Sequence, residues 1–248
     1  MSTLEGLLLI GVGIFAGFIN TVAGGGSLLT LPLLIFLGLP SSEANASNRV
    51  AILIQNTFGV AGFRSKGVAV FPFALWVAMP AVVGAIIGSK IAVNINEEVF
   101  NKLLAVIMLM VMGITIFKPK VKEQLEEQLT RKKVWTSLLI FFFVGVYGGF
   151  IQAGIGFLMI AALTSIHGFN MAKTNSIKVF VALCYTIAAV IVFVINDKIR
   201  WQYGLTLAVG NATGAWVASR WSAKKSDRLI RMILLAMVVV LSVKLWFF

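Results

Sequence analysis

One cysteine and one histidine are the whole supply of thiol and imidazole in this chain. Cys184 has no partner for an internal disulfide. With His167 as the sole imidazole, no metal site is expected. Acids are scarce too: nine Asp+Glu stand against 21 Lys+Arg in 248 residues. Each acid falls near the end of an apolar segment or in a loop, which argues against a metal-cation path and a simple carboxylate proton relay. No HExxH, GxSxG or P-loop pattern occurs. No cluster of nucleophile, base or metal groups favours an intramembrane enzyme, so neither a catalytic residue nor a cofactor is expected. Glu5 stands in the first turn without Lys or Arg, so no basic leader is expected either. Charged residues amount to only 12%, about half the usual share for a soluble domain.

What remains is apolar. Hydrophobic residues make up 59% of the chain, and the mean hydropathy is +0.97. A single water-soluble core of this size does not bury that much apolar surface. The expected class is therefore an all-α integral membrane protein. Apolar runs occupy 4–20, 28–38, 44–63, 71–89, 99–117, 135–152, 157–166, 172–195, 201–219 and 229–248. Most have the roughly 20 residues that a span requires. The runs 28–38 and 157–166 do not, and both follow glycine-rich breaks, Ala23-Gly24-Gly25-Gly26 and Gly154-Ile155-Gly156. The polar stretch 118–133 divides the chain into a first membrane unit at 1–117 and a second at 134–248. Within it Val121, Leu125 and Leu129 recur every four residues, and Glu127 and Arg131 stand at i,i+4. A surface helix and a solvated linker both fit that pattern.

The two units resemble each other at an offset of about 130. Ala16–Asn20 matches Gly148–Gln152, Gly24 and Gly26 match Gly154 and Gly156, Gly84-Ala85 matches Gly214-Ala215, and Ser89-Lys90 matches Ser219-Arg220. Charge distinguishes a parallel from an inverted repeat. If each unit crosses an odd number of times, 14 cations collect on one face and five on the other; an even number gives 11 and eight. The positive-inside rule prefers the first. Two inverted repeats are expected, each with three full spans plus a glycine-broken short-helix pair, either a hairpin or two extra spans. The linker is then cytoplasmic and both termini lie outside. The formal charge of +12 is read as this membrane signal, with lipid as the neighbour and no nucleic acid partner.

The candidate site lies at the breaks. Gly24, Gly25 and Gly26 permit a non-helical turn, and Ser27 is expected to cap the helix from Leu28. A helix start attracts anions through free N–H groups and its dipole. Asn20 adds an amide, and Gln152, Gly154 and Gly156 stand correspondingly in the second unit. Two such tips meeting near the midplane would wrap one small anion; close helix packing is the alternative use of the glycines. Arg49 and Lys178, 129 apart, lie inside apolar segments with no acid placed to pair. Snorkelling or a negative ligand are the two ways to hold such a cation. Asn45, Asn48, Asn175 and Ser176 stand close by, and Asn56 lies deeper, placed to line a path or bond another helix. His167, next to Gly168, is expected in a loop.

The run Phe18-Ile19-Asn20-Thr21-Val22-Ala23-Gly24-Gly25-Gly26-Ser27, the Leu/Pro-rich stretch after it and the copy at 149–156 resemble the TauE/SafE sulfite-exporter family. The likeness covers nearly the whole chain. It implies a prokaryotic inner-membrane transporter for sulfite, organosulfonates or related small organic anions. The expected mechanism is export by alternating access around a midplane site; an intramembrane enzyme or a structural membrane protein is the alternative. A homo-oligomer is left open.

Overall fold

The structure is a computed structural model describing residues 1–68, 70–117 and 127–223. Among the described residues every regular element is a helix: α1 Thr3–Val22, α2 Ser27–Phe36, α3 Ser41–Arg64, α4 Phe73–Asn94, α5 Glu97–Phe117, α6 Arg131–Phe150, α7 Ile155–His167, α8 Met171–Ile195 and α9 Trp201–Ser222. The expected segments coincide with these helices to within a few residues. The expected run at 229–248, and the surface-helix reading of the linker over 118–126, lie outside the described residues. Four helices, α1, α4, α6 and α8, are long and apolar enough by length and composition to cross a membrane. With α2 and α7 as shorter apolar helices, the chain has the make-up of a multi-pass membrane protein.

Local chemistry sets several helix ends. Ser2 and Glu5 close a reciprocal cap on α1, with bonds of 2.9 and 3.2 Å. Asn170 caps α8 by accepting from Lys173 N at 2.9 Å. His167 is the last residue of α7 rather than a loop residue. It is buried between Phe73 and Phe169, with Nε2 2.7 Å from Ser137 Oγ and Nδ1 2.8 Å from the Gln128 carbonyl. The expected Glu127–Arg131 pair does not form in the helical register, because residues 127–130 are not helical. Glu127 instead pairs with Lys173 at 2.6 Å.

Small residues let the helices approach closely, and they also record direction. In α1 and α9, Gly13 faces Leu207–Asn211 and Gly214 faces Ile14–Phe18, so the two helices run parallel. In α4 and α6, Ala81 meets Gly145 and Ala85 meets Gly149, again parallel. Gly204 lies on Ser47 and Gly62 on Ser219, which makes α3 parallel to α9. The helix α8 runs against α3: Gly59 faces Val179, whereas Arg49 lies over Phe193. Phe73 and Phe169 place the starts of α4 and α8 side by side.

Charge separates along this axis. At the end where α3 stops and α8 starts stand Arg64, Lys66, Arg131, Lys132, Lys133, Lys173 and Arg220, with Glu127 the sole described acid. The opposite end carries Lys90, Lys102, Lys198 and Arg200 together with Glu5, Glu43, Glu97, Glu98 and Asp197. There Arg200 grips Glu43 with both ends of its guanidinium, at 2.6 and 2.9 Å.

Candidate functional site

The two glycine breaks meet. Gly24 has φ +91° and Gly154 has φ +70°, conformations that a side chain would strain. Gly24 and Gly156 touch backbone to backbone, and a Cβ on either would collide with the other. Ser27 crosses the junction: its hydroxyl donates to the Gln152 carbonyl and accepts from Gly154 N, both at 3.3 Å. It does not cap α2. The N-cap is Gly26, without a side-chain bond, because the Ser27 hydroxyl serves the partner tip 125–127 residues away. Gln152 itself holds φ +65°, rare for a residue with a side chain. Its amide is fixed at both ends, Oε1 accepting from Arg49 and Nε2 donating to Tyr185 Oη at 3.1 Å.

Each buried cation holds the C-terminal end of a helix distant in sequence, Lys178 that of α1 and Arg49 that of α6. Lys178 donates to the carbonyls of Asn20 and Thr21 at 2.9 and 2.8 Å, the two residues before the last of α1, and to Asn175 Oδ1 at 2.8 Å. Arg49 donates to the carbonyls of Gly148 and Gly149, which stand in the same two places before the end of α6. It also reaches Gln152 Oε1 and, at 3.3 Å, Asn45 Oδ1. Both side chains are buried, at 0% and 3% exposure, so neither reaches an aqueous end. Helix C-termini carry partial negative charge on free carbonyls. That charge stands where an acid is lacking.

Beside the junction lies a cavity of about 10 Å³, room for roughly one water. Asn20, Ser27, Gln152, Gly156 and Lys178 line it, with Asn56 and Tyr185. Arg49, Asn48 and Asn175 do not: Asn48 accepts from Thr30 Oγ1 at 2.8 Å, and Asn175 orients Lys178. Gly24, Gly25, Gly26 and Gly154 form the turns behind the lining.

Residues 9–245 match the family model described as sulfite exporter TauE/SafE. The chain belongs to the TauE/SafE family. Over 243 residues it is 29% identical to the "Probable membrane transporter protein YfcA" of Escherichia coli strain K12, covering 96% of this chain and 90% of that one. A "Probable membrane transporter protein" of Haemophilus influenzae is 25% identical, over 96% and 93% of the two chains. The "Probable membrane transporter protein YjnA" of Bacillus subtilis is 25% identical, over 94% and 97%. No solved structure gives a significant match.

Membership places this TauE/SafE protein among membrane transporters and not among enzymes. Its sequence pointed to the tips and the cations but not to their partners, since backbone carbonyls leave no mark in a sequence. Tyr185 was also missed. It stands 129 residues after Asn56, the spacing that relates Arg49 to Lys178, so the expected repeat offered that signal.

Proposed function

We propose that this TauE/SafE protein carries small anions (sulfite, organosulfonates or related organic acids) out of a prokaryotic cell across the inner membrane. The observation that carries the reading is the junction itself. Two glycine-broken helix tips meet beside a buried ammonium and a small cavity lined by both polar and apolar residues, and every described acid stands toward an end of the bundle. Asn20, Ser27, Gln152, Gly156 and Lys178 line the path of the anion. Gly24, Gly25, Gly26 and Gly154 shape the turns, while Asn48, Arg49 and Asn175 hold the lining in place.

The fold reading goes with it. The units 1–117 and 134–248, joined by 118–133, are inverted repeats in this account. Exchanging α1 with α6, α3 with α8 and α4 with α9 turns the α1–α9 contact into α6–α4 and the α3–α9 contact into α8–α4. The directions read from the glycine contacts make the exchanged helices antiparallel. The pairs α1/α2 and α6/α7 are the broken elements, and α3, α4, α5, α8 and α9 are full spans among the described residues. The strongly basic end, with the linker, faces the cytoplasm, and both termini lie outside.

A cavity the size of one water does not hold sulfite, so this arrangement is closed on its site. Transport opens the tips to one side and then to the other while the site stays near the midplane. An inside-negative potential favours anion exit by about 2.3 kcal/mol per charge per 100 mV. The test is reconstitution: sulfite efflux from proteoliposomes should rise with an imposed inside-negative voltage and fall when sulfonates compete. Efflux equal to that of protein-free vesicles contradicts the proposal.

A further inference from the structure

Two donors on the central cavity have no acceptor among the described residues. Asn56 is 2% exposed and lines the cavity, yet its Nδ2 has no partner. Tyr185 is fully buried on the same cavity. Its Oη accepts from Gln152 Nε2, and among the described residues no acceptor takes its own proton. Lys178 is the reverse case. Its ammonium has three protons, and three protein oxygens take them, from Asn20, Thr21 and Asn175. An unmet buried donor is destabilising, and this cavity keeps two of them beside a cation.

We infer that Asn56 and Tyr185 are the pair that hydrogen-bonds and selects the transported anion, one from each unit, while Lys178 contributes charge without a free proton. This rests on the transport reading above. The chemistry that fits is a small oxyanion with at least two acceptor oxygens, one taken by the Asn56 amide and one by the Tyr185 hydroxyl. A small cation meets the charge of the Lys178 ammonium there and is refused. The two residues stand 129 apart on α3 and α8, so the selecting groups come from equivalent places on the two helices that run against each other.

The test uses the full chain purified in detergent, with sulfite and methanesulfonate as probes. Binding is read by calorimetry and folding by the melting temperature without ligand. Asn56→Leu and Tyr185→Phe should each raise the sulfite Kd about tenfold or more, the scale of one hydrogen bond to a charged group. Asn56→Leu should not lower the ligand-free melting temperature, because it removes an unmet donor; a merely structural asparagine would lower it. Should Asn56→Leu fail to fold, Tyr185→Phe decides alone. Wild-type affinity in the folded variants overturns this inference and leaves the transport reading standing. No binding of either probe by the wild-type protein overturns both.

Discussion

Arg49 and Lys178 tie distant helices together. Each is a buried cation without a carboxylate, held by the last carbonyls of α6 or α1. Replacing either by methionine keeps the stem and removes the donors. Orphaned buried acceptors cost about 1–3 kcal/mol each, so Arg49→Met and Lys178→Met should both lower unfolding stability in a detergent–denaturant titration. Their effects on anion affinity should differ. Lys178 lines the cavity and Arg49 does not, so Lys178→Met, which removes the charge beside the anion, should weaken sulfite binding by about tenfold or more while Arg49→Met weakens it less. The opposite order would remove Lys178 from the site. That both cations sit inside apolar segments was legible in the sequence, which left snorkelling open; their burial at 0% and 3% exposure excludes it. Their partners were not legible, because a carbonyl belongs to every residue. Ser27 shows the same limit: its local context reads as a helix cap, but its bonds go to Gln152 and Gly154.

At the scale of elements, the broken pairs α1/α2 and α6/α7 carry the account. Their positions were legible because glycine runs interrupt otherwise continuous apolar segments. That the tips touch was an expectation from symmetry, and the contact of Gly24 with Gly156 meets it. Gly24→Ala should destabilise by about 2–4 kcal/mol, combining left-handed strain with collision against the Gly156 backbone. Gly38 provides the control. It has φ +89° but open space around the position of a Cβ, so Gly38→Ala should cost only the strain, about 1–2 kcal/mol. Equal losses at the two glycines, measured by the same denaturation, would show that the tips do not press on each other. Helix ends were less legible where long-range contacts set them. His167 looks like a loop residue beside Gly168, yet Ser137, Gln128 and two phenylalanine rings hold it inside the bundle.

For the whole molecule, charge and packing point the same way. The cation-rich end gathers the linker side of α6, the start of α8 and the close of α3 and α9. On the proposed inverted arrangement this end faces the cytoplasm. The central claim is that one small anion sits between the tips, held by Asn56 and Tyr185 beside Lys178. Selenite has the shape and charge of sulfite and a heavy atom that scatters anomalously. A crystal structure grown with selenite tests the claim most directly. The account predicts an anomalous selenium peak in the junction, with its oxygens within hydrogen-bond reach of Asn56 Nδ2 and Tyr185 Oη. Selenite found only on the bundle surface, with the junction holding water alone, would contradict it.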